Sequence, residues 1–267
     1  MPCCEAYYEL LNPREMMQGR PYQKIVEILN NNEHSDWQNA AVYYLAITKT
    51  KTRTFFGKMH KQPSDIKKFF EALERVHAIL EMIGAPTHQR TDRYFQIVKE
   101  LHDKGDQNLY RPGLLDVDQN QKQLAKVSID MPVYANKMSR YWLIRIEDYL
   151  QKKDNIDYIT SHTRAEYILP PDTKNLKYWE SQGWKAQNLP DIHKIGNMVL
   201  ISRRRAHFHP KMTYPQMLVE YFGFGKSETR PPFMLTQQLE MYKNWTPLDF
   251  EKRQNEFTKI LSTIWKL

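Results

Sequence analysis

Arg203-Arg204-Arg205-Ala206-His207-Phe208-His209-Pro210-Lys211 is the most basic stretch of the chain, and its residue types are those that meet a phosphate backbone. Each guanidinium is a planar fork able to donate two hydrogen bonds to one phosphate, and a neighbouring aromatic ring offers a surface on which a base can stack. Arg203, Arg204, Arg205, His207, His209 and Lys211 are therefore the expected nucleic-acid contacts. A solvated basic loop is the alternative, since runs of charge commonly do no more than face water.

His207 and His209 carry a second possible chemistry. Two residues apart, they share one face if the segment is extended, so both imidazoles can reach one metal ion, with His193 or His162 as a third ligand. Without a carboxylate or cysteine in register, the pair reads first as surface or hydrogen-bonded histidine. Tyr178, Trp179 and Trp184 can stack on bases or belong to the core. Paired-carboxylate, Ser–His and Cys–His arrangements are not legible. Cys3 and Cys4, the only cysteines, can neither build a disulfide framework nor complete a thiolate zinc site.

These residues need a scaffold, and apolar periodicity supplies one. Over Ser64–Gly84, Phe69, Leu73, Val76, Leu80 and Ile83 alternate steps of four and three, the spacing of one helical face, with Ser64 at the start and Gly84 and Pro86 at the end. Tyr22–Asn30, Trp37–Thr48 and Thr91–His102 carry shorter versions of the pattern. Residues 103–130 are polar with little periodicity and predict a connection with a short turn, and with it a possible boundary. A helix over Tyr134–Gln151 places Met138, Trp142, Ile146 and Leu150 on one face and Arg145, Glu147 and Asp148 toward solvent.

The texture changes after residue 155. Glu166-Tyr167-Ile168-Leu169-Pro170-Pro171 reads as the end of a strand stopped by a proline pair, and Ile195–Ser202 as a second strand entered through a Gly-Asn turn. Trp179 and Trp184 fall in a long loop between them. Phe222, Phe224 and Phe233, spaced by glycine and proline, pin a loop onto the body. A final helix over Thr246–Trp265 opens with a capping threonine and Pro247, and Phe250, Phe257, Ile260, Leu261 and Ile264 give it one apolar face. The predicted class is α+β, mostly α: a helical spacer over 1–155, a small ββα finger-like domain over 156–230, and a C-terminal helical segment over 231–267 that packs back on the body.

Composition agrees with a polyanion partner. The 39 lysines and arginines exceed the 31 acidic residues, giving a formal net charge of +8 over 267 residues. A spanning helix needs about 20 mostly apolar residues in a row, and none is present, so no membrane partner is expected. Met1-Pro2-Cys3-Cys4-Glu5 shows no basic region leading into an apolar stretch, so the expected compartment is the cytoplasm. Walker and dinucleotide-binding fingerprints are absent.

The order of segments is informative. Arg140-Tyr141-Trp142-Leu143-Ile144-Arg145-Ile146-Glu147, then Glu166–Pro171, then Ile195-Gly196-Asn197-Met198-Val199-Leu200-Ile201-Ser202, then Asn244-Trp245-Thr246 with Arg253 and Trp265, resembles the carboxy-terminal half of GmrSD-type proteins, modification-dependent restriction and phage-defence nucleases. The resemblance implies a helical spacer followed by a histidine-metal (His-Me) finger nuclease of the HNH kind. Such proteins usually add an amino-terminal nucleotide-hydrolysing, DNA-sensing domain, which the resemblance does not reach here. The family's first motif, Glu-His-Ile-(Leu or Val)-Pro-Gln, supplies a histidine that activates water beside magnesium, and its place is taken by Tyr167. The second motif runs from Gly-Asn to an asparagine, a second asparagine, an aromatic residue and a lysine. Counted from Gly196 and Asn197 without a gap, these fall on Ala206, Lys211, Tyr214 and Met217.

A phenol with a pKa about 10 is a poor base in its neutral form, and alanine can neither ligate a metal nor orient a base. Loss of a general base alone costs a factor of about 10² to 10⁴. The family's catalytic positions, here Tyr167, Ala206, Lys211 and Met217, are therefore read as lost, and the chain as a pseudo-nuclease that binds DNA or regulates, with no cofactor expected. Two alternatives stay open. One is an active endonuclease in which His207 and His209 hold magnesium or another divalent metal and His162 or His193 supplies the base. The other is a protein-interaction module that partners a nucleotide-hydrolysing subunit.

Overall fold

Apolar residues at steps of three and four account for most of the chain's regular structure. The computed structural model describes residues 2–54, 63–103, 113–151, 163–202, 211–223 and 231–267. They divide into two units, residues 1–128 with Leu267, and Ile129–Lys266.

The first unit is helical: α1 (Pro2–Leu11), α2 (Pro13–Met16), α3 (Gln23–Leu29), α4 (Gln38–Thr54), α5 (Pro63–Met82), α6 (Thr87–Asp103) and α7 (Gln119–Ser128). The α5 stripe does what its spacing predicts: Phe69, Leu73, Val76 and Leu80 are buried. Tyr44 stacks on Phe69 with ring centroids 3.6 Å apart, and Tyr22 on Phe70 at 5.6 Å. Gly84, at φ 64°, ends α5 in the left-handed conformation that glycine adopts without a Cβ clash. Around it the Gly84 and Ala85 amides donate to the carbonyls of Glu81 and Leu80, both at 2.9 Å. One helix, α7, forms where polar composition predicts a connection. It buries Ala125 and leaves Leu124 and Val127 exposed, so it carries little apolar periodicity to read.

In the second unit α8 (Lys137–Gln151) precedes β1 (Thr163–Tyr167), α9 (Leu176–Ser181), 3-10 turns over Ala186–His193 and Ile195–Asn197, and β2 (Met198–Ser202). Then come α10 (Tyr214–Gln216), which continues as a π turn over Met217–Tyr221, α11 (Met234–Gln237), which runs into a 3-10 turn, and α12 (Pro247–Trp265). The strands pair antiparallel, from Thr163 opposite Ser202 to Tyr167 opposite Met198. A two-stranded sheet cannot bury itself. Here α8 and α11 pack against it. The fold class is α+β, mostly α.

The last helix starts where its sequence says. Thr246 and Asp249 form a reciprocal capping box, with the Thr246 hydroxyl donating to the Asp249 carboxylate at 2.6 Å and Pro247 in the first turn. Phe250, Phe257, Ile260, Leu261 and Trp265 make its buried face. Among the described residues no helix is long and apolar enough to cross a membrane.

Candidate functional site

Two adjacent residues, Gly196 and Asn197, hold the entry to β2 against the exit of β1. Asn197 is fully buried and uses its whole amide. Its Oδ1 accepts from the Leu169 amide at 2.9 Å and from Trp245 Nε1 at 3.0 Å, while its Nδ2 donates to the carbonyls of Leu169 at 2.9 Å and Ile192 at 2.8 Å. The Asn197 carbonyl also accepts from Ile168 at 2.8 Å. Gly196 lies directly under α12: a Cβ placed on it would stand 2.8 Å from the backbone of Gln254. The Gln254 side chain accepts from the Gly196 amide at 2.7 Å.

Arg253, one residue earlier on α12, is wholly buried and completes this hub. Its guanidinium donates to the carbonyls of Gly196 at 2.8 Å, Met198 at 2.7 Å and Leu235 at 3.0 Å, and lies over the Phe257 ring, 4.3 Å from the centroid. Burial pulls its pKa down to about 10, outweighing the opposing pull of Tyr242, Tyr214 and Glu256. From the opposite side, Glu147 of α8 accepts from the amides of Met234 at 2.7 Å and Leu235 at 2.9 Å, the free N–H groups at the start of α11. The sequence places Glu147 toward solvent. It is fully buried, and burial raises its pKa against the pull of these hydrogen bonds.

The strand end that this hub fixes carries Tyr167. Its hydroxyl accepts from the Ala135 amide at 3.0 Å and is hydrogen-bonded to Nδ1 of His193 at 3.1 Å, with the two rings edge to face. Burial raises the Tyr167 pKa, outweighing the Ala135 amide, so the phenol is neutral at pH 7. His193 ends the 3-10 turn that precedes Gly196, and its carbonyl accepts from the amides of Val133 at 2.9 Å and Tyr134 at 3.1 Å. The Tyr134 ring sits beside the imidazole, centroids 4.5 Å apart. His193 also borders a groove of about 550 Å³ that runs along Leu169, Pro170, Leu176, Trp179 and Leu189.

The residues that build this hub and the strand pair run from Glu147 on α8 to Gln254 on α12. The profile of GmrSD restriction endonucleases, C-terminal domain, matches residues 118–260, more than half of the chain and all of this stretch. The chain belongs to the GmrSD restriction endonuclease C-terminal domain family. No individually curated protein matches it. Within the GmrSD match, Asn197, Gly196, Trp245 and Arg253 are scaffold: the Asn197 and Arg253 side chains bind backbone groups, the Trp245 indole donates to the Asn197 side chain, and Gly196 leaves room for α12.

The residues expected to do chemistry are distributed differently. Arg203, Arg204, Arg205, Ala206, His207 and His209 lie outside the described residues, as does His162. Lys211 is exposed, two residues before the cap of α10, and its carbonyl accepts from Asn175 Nδ2 at 2.9 Å. Tyr214 is buried, stacks on Trp245 and donates to the Leu239 carbonyl at 2.9 Å. Met217 is fully buried. Trp179 and Trp184 are core: their indole N–H groups donate to Thr173 Oγ1 at 3.1 Å and to the Trp245 carbonyl at 2.8 Å.

A magnesium ion takes hard oxygen ligands, chiefly carboxylates. A hydrogen-bonded phenol at Tyr167, an ammonium at Lys211 and a buried thioether at Met217 do not fit that requirement. Among the described residues no three His, Cys, Asp or Glu side chains converge on one point. Of the histidines considered as substitutes, the structure brings His193 to Tyr167. Tyr134, which completes that cluster, is invisible to sequence reasoning, because its placement depends on a hydrogen bond to a residue 59 positions further on.

Proposed function

We propose that this chain is a nucleic-acid-binding, catalytically degenerate member of the GmrSD family, a pseudo-nuclease serving as a binding or regulatory part of a defence-type system. The observation that carries this reading is Tyr167. At the strand end where the resemblance calls for a proton-accepting imidazole stands a phenol kept neutral by burial, its oxygen already engaged by Ala135 and His193. A neutral phenol has no proton affinity to offer water at pH 7. The excess of +8 and the basic run Arg203–Lys211 directly after β2 supply the attraction for phosphate. DNA is the proposed ligand, a protein carrying a nucleotide-hydrolysing domain the proposed partner, and the cytoplasm the proposed setting.

The test is a salt titration of duplex DNA binding. Each neutralised phosphate contributes a log-log slope of about −0.9. Four contacts from Arg203, Arg204, Arg205 and Lys211 would therefore give a slope of roughly −3.6. An affinity that stays flat between low and moderate salt contradicts the proposal.

A further inference from the structure

We infer that Tyr134 and His193 form a second nucleic-acid contact, in which an unstacked base lies on the Tyr134 ring and the free edge of His193 meets the adjoining phosphate. The inference rests on the nucleic-acid reading above and adds to it two residues that are not part of the basic run.

Three observations converge on this pair. Tyr134 has φ 58°, and it is one of two non-glycine residues with positive φ among those described. That left-handed conformation forces Cβ toward the carbonyl oxygen, and residues other than glycine, asparagine and aspartate seldom adopt it. Strain of this kind persists where the surroundings hold it, and it clusters at ligand sites. Here the Tyr134 amide is held by the His193 carbonyl at 3.1 Å, and the Asn136 amide donates back to the Tyr134 carbonyl at 3.1 Å.

The ring that this strained backbone presents is left largely open. Tyr134 is 55% exposed although its ring is only 4.5 Å from His193. A large aromatic ring set against one partner and otherwise open is the geometry on which a base stacks.

The imidazole beside it is oriented at one nitrogen and free at the other. Nδ1 is hydrogen-bonded to the Tyr167 hydroxyl at 3.1 Å, and Nε2 makes no hydrogen bond among the described residues. Because the Ala135 amide already donates to the Tyr167 oxygen, the phenol proton is available to His193 Nδ1. Accepting it there places the imidazole's own proton on Nε2, as a donor suited to a phosphate oxygen.

Fluorescence anisotropy with a single-stranded oligonucleotide, combined with photocrosslinking through 5-iodouracil, tests the pair. Tyr134→Gly suits the backbone conformation better than tyrosine, so the variant keeps its fold while losing the ring. It is expected to bind about five-fold to about 150-fold more weakly than the parent, the span measured for loss of one stacked base. Tyr134→Phe is expected to bind like the parent, His193→Gln to bind more weakly, and the crosslinked peptide of the parent to contain Tyr134. Parent-like binding by Tyr134→Gly, or crosslinks confined to the Arg203–Lys211 run, overturns this inference and leaves the nucleic-acid reading standing. Failure of the parent to bind any oligonucleotide at low salt overturns both.

Discussion

Asn197 and Leu169 are joined by two hydrogen bonds running in opposite directions: the Leu169 amide donates to Oδ1 and Nδ2 donates to the Leu169 carbonyl, both at 2.9 Å. A side-chain amide thus extends the sheet past its last backbone pair and fixes where β1 ends. Asn197→Ala would strand the amide and carbonyl of Leu169, the Ile192 carbonyl and the Trp245 indole N–H in the core. The expected loss is about 3–5 kcal/mol, since each buried unsatisfied group costs about 1–3 kcal/mol and such costs are not additive. Urea unfolding followed by tryptophan fluorescence reports on this unit, which holds five of the six tryptophans. A midpoint equal to the parent's would refute the structural role.

Gly196→Ala tests the approach of α12. The added methyl would stand 2.8 Å from Gln254 backbone and Cβ atoms, closer than carbon atoms pack. The helix must shift, and with it the Arg253 bonds to Gly196 and Met198. Overpacking costs about 1–3 kcal/mol, and a lower thermal midpoint is the expected readout.

The first unit buries an ionisable pair, with His77 Nε2 facing Glu81 Oε1 at 3.4 Å and His77 Nδ1 at 2.9 Å from the Tyr94 hydroxyl. Burial raises the Glu81 pKa from 4.5 to about 7 and lowers that of His77 from 6.5 to about 3. Both are therefore neutral in the folded state at mildly acid pH. Neutral Glu81 contributes stability that is complete below pH 4.5 and lost as pH rises through 7. Neutral His77 contributes stability that is complete above 6.5 and lost as pH falls toward 3. The two slopes cancel between 4.5 and 6.5. Glu81→Gln removes one of them, so the stability of the variant relative to the parent is expected to climb across that window by about 1.4 kcal/mol per pH unit. Thermal melts followed through Trp37 at several pH values check this, and a pH-independent difference would count against the buried neutral acid.

Replacing Arg203, Arg204 and Arg205 together by glutamine is expected to weaken duplex binding and to flatten the log-log salt slope by roughly 2.7, at about 0.9 for each phosphate that is no longer neutralised. An unchanged slope would assign the run to solvent.

What the sequence makes legible is local. The α5 stripe and the Thr246–Asp249 cap depend on residues within one or two turns, and both appear in the structure where their spacing puts them. Long-range partners are what periodicity misses. Glu147 reads as a solvated charge, yet it caps α11, whose amides lie 87 and 88 positions away. The first strand begins three residues earlier than its apolar run suggests, because Thr163–Glu166 is held by pairing with β2 rather than by hydrophobicity. At the candidate site, the resemblance singles out Tyr167 in the sequence. The closeness of His193 is not legible there, since 26 residues separate the two and tertiary contacts bring them together.

What the chain does to DNA tests the binding, non-cleaving reading most directly. Purified protein incubated with supercoiled plasmid and magnesium or manganese, and run on one gel, reports binding and cleavage together. A salt-sensitive mobility shift with the plasmid left supercoiled is the predicted result. Nicking that stops with a chelator and with His207→Ala or His209→Ala would contradict it and show that the chemistry has moved rather than disappeared.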